Sequence, residues 1–239
     1  MLKLTIDRGN SATKIGFFDQ SKLVAVHSIP NDDKEFITTF IGTHQPEAAI
    51  ISSVADDFDL GLIQKKVKNI VVLDHQTPLP FANMYHTPET LGKDRIAAVA
   101  GAQQLYPQKS VFVIDAGTAI TYDVLLGGNK YAGGDISPGM AMRFKALNTF
   151  TSRLPLVTKD EPHQFPGKKT THAIASGVIN GMIFEIEGYR AFCKNNWDID
   201  ITILTGGDSD FFAGKLKKPI FVNQNLVLVG LNRILEYNA

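Results

Sequence analysis

Two short apolar runs constrain this chain more than any other feature. Leu2–Asp7 ends in an aspartate and is followed by Gly9-Asn10-Ser11. About a hundred residues later, Val111–Asp115 ends in an aspartate and is followed by Gly117-Thr118. After each comes a second apolar run, Lys14–Phe18 or Ala119–Leu125, and then a third, Lys22–Ile29 or Lys130–Ile136. Turn residues separate the runs, which is the pattern of strands joined by tight turns. One opening used twice predicts two halves of similar design.

Helical and strand patterns alternate after each opening. In the first half, helices are expected over Asp32–Thr43 (capped by Asn31 or Asp32), Leu60–Lys68 and Gly92–Tyr106, with strands at Ala48–Ser52 and Ile70–Leu73. The last of these helices carries Ile96, Val99, Ala100 and Leu105. The stretch from Thr77 to Pro88 reads as loop. In the second half, helices are expected over Gly139–Phe150, Thr170–Phe192, Asp208–Ala213 and Asn225–Glu236, with strands at Ile201–Leu204 and Ile220–Val222. The expected class is α/β in two lobes, residues 1–108 and 109–239, with the boundary near Pro107–Ser110.

Charge and composition narrow the partners. Lys plus Arg and Asp plus Glu number 24 each, which argues against a general attraction to nucleic acid or to an anionic membrane surface. The single cysteine, Cys193, rules out an internal disulfide and fits a reducing compartment. The opening Leu2–Ile6 is too short for the apolar region of a signal peptide, and no apolar run approaches transmembrane length. A soluble cytoplasmic protein is expected.

The first chemical motif is Asp7-Arg8-Gly9-Asn10-Ser11-Ala12-Thr13-Lys14. Its turn offers backbone N–H groups to phosphate oxygens, Ser11 and Thr13 add hydroxyl donors, and Lys14 adds a positive charge. Asp7 would hold Mg²⁺ through water, because that ion keeps much of its hydration shell. The same residue types also make an ordinary hairpin. The second motif, Asp115-Ala116-Gly117-Thr118, repeats the design. The third, Leu91-Gly92-Lys93-Asp94-Arg95 with Tyr85 upstream, puts a carboxylate beside a guanidinium at a helix start. Asp94 is suited to accept a hydroxyl proton, and Arg95 to bind a carboxylate with two hydrogen bonds. A solvated arginine at an ordinary helix N-terminus fits equally well. Gly133-Gly134 with Pro138-Gly139, then Ser176-Gly177 with Gly181, then Thr205-Gly206-Gly207-Asp208 complete the set. Glycines inside a helix or before one suggest close packing or close approach of a ligand. The six histidines show no metal-ligand spacing.

In order, and across nearly the whole chain, these six motifs resemble the type III pantothenate kinase family. The resemblance implies two actin-like (ribonuclease H-like) lobes with a nucleotide cleft between them. It implies that Asp7, Arg8, Gly9, Asn10, Ser11, Ala12, Thr13, Lys14 and Thr118 bind ATP. It implies that Tyr85, Gly92, Lys93, Asp94, Arg95 and Thr170 contact pantothenate, with Asp94 as general base. Asp115 would hold the monovalent cation, K⁺ or NH₄⁺, and the protein would be a homodimer. The implied reaction is direct transfer of the γ-phosphoryl group of MgATP to pantothenate. Two alternatives remain at this level. One is another small-molecule kinase of the same superfamily; the other is a nucleotide-binding regulator without catalysis.

Overall fold

The computed structural model describes residues 2–9, 12–31, 39–41, 43–53 and 60–239. Asn10, Ser11 and most of the helix expected over Asp32–Thr43 lie outside these residues. The chain forms two compact units. The first comprises residues 1–109, 125–133 and 225–239, and the second residues 110–124 and 134–224. Among the described residues, no helix is long and apolar enough to cross a membrane.

The first unit is built on a five-stranded sheet of β1 (Leu2–Arg8), β2 (Thr13–Asp19), β3 (Lys22–Ile29), β4 (Ala48–Ser53) and β5 (Asn69–Val72), in the order β3-β2-β1-β4-β5. β1 is central, antiparallel to β2 and parallel to β4. Its Leu4 and Ile6 pack with Ile15, Phe17, Ala49 and Ile51 into the core of the unit. β3, at the edge, alternates exposed and half-buried residues, as a strand covered on one face should. The short helix α1 is Leu60–Gln64. The stretch expected to be loop contains a two-residue strand, β6 (Ala82–Asn83), paired in parallel with Lys130–Tyr131.

Helix α2, Lys93–Leu105, is buried at every position from Arg95 to Gln103. Its alanines, valine and glycine are small enough to be enclosed on all sides. Leu105, expected on the apolar stripe, is 43 % exposed. The last helix of the chain, Leu226–Tyr237, belongs to this first unit and packs on α2. The backbones nearly touch. A Cβ at Gly230 would overlap the carbonyl oxygen of Ala97, and one at Gly101 would overlap that of Leu226. The helix buries Leu226, Leu228, Leu231, Ile234 and Leu235, each worth roughly 1.5–3 kcal/mol. Lys3 Nζ donates to Glu236 Oε1 at 2.7 Å, tying the helix to β1.

In the second unit, β7 (Val111–Ala116), β8 (Ala119–Leu126), β9 (Lys130–Pro138), β10 (Ile201–Thr205) and β11 (Phe221–Val222) follow the order β11-β10-β7-β8-β9. The far ends of β8 and β9 extend into the first unit. Helices α3 (Met140–Thr149), α4 (Thr170–Trp197) and α5 (Ser209–Ala213) complete it. α4 runs five residues beyond its expected end and stops at Asp198, whose left-handed φ of 52° turns the chain out of the helix.

Candidate active site

β1, the central strand, carries Asp7 near its C-terminal end. There it pairs with Lys14 on β2 and with Ser52 on β4. Burial, then the carboxylate of Asp94, push the Asp7 carboxyl up from 3.8 to about 6. The positive charge of Lys14 and a hydrogen bond with the Ser52 hydroxyl pull the other way. The start of α2 therefore brings Asp94 within electrostatic reach of Asp7. The Asp94 Oδ1 accepts the backbone N–H of Arg95 at 2.9 Å, and Lys93 Nζ donates to the Ser53 carbonyl at 3.1 Å. Gly92 caps the helix, and a Cβ there would lie 2.5 Å from Asp94 Oδ1.

Arg95 is only 4 % exposed. Its guanidinium carbon lies 5.7 Å from the centre of the Tyr85 ring, which in turn stacks on Tyr131 at 6.4 Å and 10°. A desolvated guanidinium held over an aromatic face is preoriented for an anion. Asp7, Lys14, Tyr85, Gly92, Lys93, Asp94 and Arg95 thus share the first unit.

The turn after β1 is closed by its own groups. Gly9 N–H donates to the Ala12 carbonyl at 3.1 Å. Thr13 is buried, and its hydroxyl donates to Asn31 Oδ1 at 2.8 Å. Asn31 Nδ2 donates to the Gly9 carbonyl at 3.0 Å. The Gly9 N–H and the Thr13 hydroxyl, read from sequence as donors for a phosphate, are committed to the turn itself. Arg8 ends β1 beside Thr13, and Ala12 supplies the acceptor.

In the second unit, three sequence motifs meet. Asp115, near the end of β7, pairs with Thr205 of β10. Gly206 follows with φ of +90°, and a Cβ there would overlap Asp115 Oδ1, so this turn needs glycine. Gly117 N–H donates to the Ala119 carbonyl, and Gly139 N–H donates to the Thr118 carbonyl, both at 3.1 Å. A Cβ at Gly139 would overlap the carbonyls of Gly117 and Thr118. Thr118 itself is exposed at the tip. Thr170 lies elsewhere in this unit. It opens α4 and lines a cavity of about 1170 Å³ with Arg143, Lys168 and Lys169.

Sequence reasoning missed one polar cluster entirely. Arg143 Nη2 donates to Glu185 Oε2 at 2.7 Å and to Ser137 Oγ at 2.9 Å, while its Nε donates to the Pro138 carbonyl. The Tyr122 hydroxyl donates to Glu185 Oε1 at 2.7 Å. Burial opposes the charge on Glu185, yet Arg143 and Tyr122 hold its carboxyl below the usual range. Burial and this same carboxylate push the Tyr122 phenol up. The cluster fixes the corner that delivers Gly139 to the Gly117 turn.

The helix glycines are a correction. At Gly177, Gly181 and Gly188 an added Cβ would meet nothing within 4 Å. Among the described residues they serve no close packing, which leaves the other reading, close approach of a ligand, untouched. Gly177 and Gly181 line a second cavity of about 600 Å³, together with Phe165 and Phe184.

The fold is that of the actin-like sugar kinases. A hexokinase of the ROK family from Thermus thermophilus superposes with a TM-score of 0.55 over 100 % of this chain and 99 % of its own, at 12 % identity. A Campylobacter jejuni protein proposed as a Baf family transcriptional activator superposes at 0.65 over 98 % of each chain, at 25 % identity. The type III pantothenate kinase family model matches residues 3–191. The type III pantothenate kinase of Phocaeicola vulgatus is 44 % identical over 99 % of each chain. This chain belongs to the type III pantothenate kinase family.

Proposed function

We propose that this protein transfers the γ-phosphoryl group of ATP to the primary hydroxyl of pantothenate, giving 4′-phosphopantothenate for coenzyme A synthesis. The observation that carries the reading is the corner formed by Asp94, Asp7 and Lys14, with buried Arg95 over Tyr85 beside it. The hydroxyl oxygen attacks the γ-phosphorus in line, the β-phosphate oxygen leaves with the bonding pair, and Asp94 takes the hydroxyl proton. Arg95 holds the pantothenate carboxylate with two hydrogen bonds, which suits a buried, preoriented guanidinium. Tyr85, Gly92, Lys93 and Thr170 complete the acceptor side. The residues from Asp7 to Lys14, together with Thr118, are assigned to ATP, with Lys14 offsetting charge on the phosphoryl oxygens.

Two ions fit the residues present. Asp7, a carboxylate whose proton affinity is raised by burial and by Asp94, suits Mg²⁺ held through water. When bound, Mg²⁺ would supply positive charge to the phosphates. Asp115, whose carboxylate lies tight against the Gly206 turn, would hold a monovalent cation, K⁺ or NH₄⁺. A homodimer belongs to the same reading. Phe165, Phe184 and Phe150 are 87, 73 and 85 % exposed, and Gly177 and Gly181 share helix α4 with Phe184 and have open space above them. An exposed aromatic set of this kind is what a second copy covers. A cytoplasmic location follows as well, since the reaction draws on the ATP pool.

A regulator without catalysis is the second reading, and the description of the Campylobacter jejuni protein favours it. A coupled ADP-release assay in K⁺ buffer, with and without pantothenate, separates the two. Pantothenate-dependent ADP formation that requires Mg²⁺ supports the kinase. ATP and pantothenate binding without turnover supports the regulator.

A further inference from the structure

We infer that Asn31 is a positioning residue of the nucleotide site: its side-chain amide ties together Gly9 and Thr13, the two ends of the connection between β1 and β2. The inference rests on the assignment of that turn to ATP. Asn31 follows β3 by two residues, and Ile29 at the end of β3 pairs with Thr13 at the start of β2. This register brings the Asn31 amide against the turn from the third strand. Its Oδ1 accepts the hydroxyl proton of Thr13 at 2.8 Å, and its Nδ2 donates to the carbonyl of Gly9 at 3.0 Å.

The amide orientation has one chemical solution, because a backbone carbonyl only accepts. The nitrogen must face Gly9, which leaves the oxygen for Thr13. Gly9 N–H already donates to the Ala12 carbonyl at 3.1 Å. Both polar groups of the Gly9 peptide frame are therefore committed, one to Ala12 and one to Asn31. The circuit closes at both stems of the turn, at Gly9 and at Thr13. Thr13 is 1 % exposed, so its hydroxyl depends on Asn31 for part of its satisfaction in the folded chain.

A short connection of small residues that includes a glycine has many accessible conformations, and most of them do not direct N–H groups at a common point. Asn31 fixes both ends of the connection, Gly9 and Thr13, before ATP arrives. Loss of the amide leaves the strands in place and loosens the turn, so ATP binding must then order it. The cost falls on ATP and not on pantothenate, whose assigned contacts lie on α2, around Tyr85 and at Thr170.

The test is direct ATP binding by calorimetry to wild type and Asn31→Ala, without pantothenate, together with steady-state kinetics. The expected result is an ATP Kd and KM raised about tenfold, with the pantothenate KM within about twofold of wild type. A tenfold change corresponds to ~1.4 kcal/mol. Asn31→Asp keeps the acceptor for Thr13 and removes the donor to Gly9, and it is expected to weaken ATP at least as much. This near-isosteric variant carries the test if the alanine variant does not fold. A lowered melting temperature with unchanged ATP Kd and KM would mean a merely structural role and overturn the inference. Equal rises in both KM values would overturn it too. Wild type that binds ATP but does not phosphorylate pantothenate would sink the proposed function and leave the binding comparison intact.

Discussion

Replacing Asp7 by Asn should stabilise the metal-free protein while abolishing its activity. The Asp7 carboxyl is raised from 3.8 to about 6 by burial and by Asp94. A raised carboxylate pKa means that the folded state binds the proton more tightly than the unfolded one. Stability from this group is therefore fully present below pH 3.8 and declines as pH rises towards 6. Integrated over that window, the penalty is about 1 kcal/mol at pH 4.5 and about 3 kcal/mol at pH 7.5. Asp7 is half-buried, so solvent screening trims the larger figure to roughly 1.5–3 kcal/mol. Asn keeps the shape and a partner for the Ser52 hydroxyl but carries no charge. Urea unfolding in EDTA at pH 4.5, 6.0 and 7.5 gives the comparison. The expected gain for Asp7→Asn grows with pH and levels off above about pH 6, while Mg²⁺-dependent turnover is lost. A variant less stable than wild type at pH 7.5, or a gain independent of pH, would refute the electrostatic reasoning.

Asp94→Asn should lower kcat by roughly two to four orders of magnitude and leave ATP binding within a few-fold, as single-turnover kinetics and calorimetry would show. Arg95→Ala should raise the pantothenate KM by about tenfold or more, because a bidentate charged contact is lost; a change confined to the ATP KM would move Arg95 to the nucleotide side. Wild type should turn over faster in K⁺ or NH₄⁺ than in Na⁺ or a bulky organic cation at fixed ionic strength. Asp115→Asn should flatten that difference, and undiminished activation in the variant would place the ion elsewhere. Gly230→Ala should cost about 2–4 kcal/mol in chemical denaturation, since its methyl would overlap the Ala97 carbonyl in a packed helix pair.

Apart from β6, the strands were legible because most are short apolar runs bounded by turn residues, and β3 begins and ends where the pattern says. The start of α2 was legible from Gly92 and the acid in its first turn. The pairing of Asp94 with Asp7 was not, because it depends on how a helix after residue 92 lies against the end of β1, and no local pattern records that. Asn31 reads locally as a helix cap, since asparagine favours that position; its bonds to Thr13 and Gly9 join segments far apart in sequence, and no local pattern records them. Gly139 reads as a turn former. Its use against Gly117 appears only when β9 lies along β8. The glycines of α4 read as sites of close packing or ligand approach, and among the described residues nothing packs against them. The sole trace of the Arg143–Glu185–Tyr122 cluster is a glutamate within an otherwise apolar stretch of α4, which a surface position would explain equally well.

The last helix sets an order of events during synthesis. Leu226–Tyr237 supplies the surface on which α2 is buried, and α2 carries Asp94 and Arg95 at its first turn. A ribosome delivers residues 1–109 early, yet that unit lacks its final wall until the whole second unit has been made. In the interval, the small-residue face around Ala97 and Gly101 stands uncovered, open to chaperones or to wrong partners. Shortening the chain by the segment from Leu226 would reproduce that interval permanently, and would unsettle the helix that carries Asp94, more than 130 positions upstream.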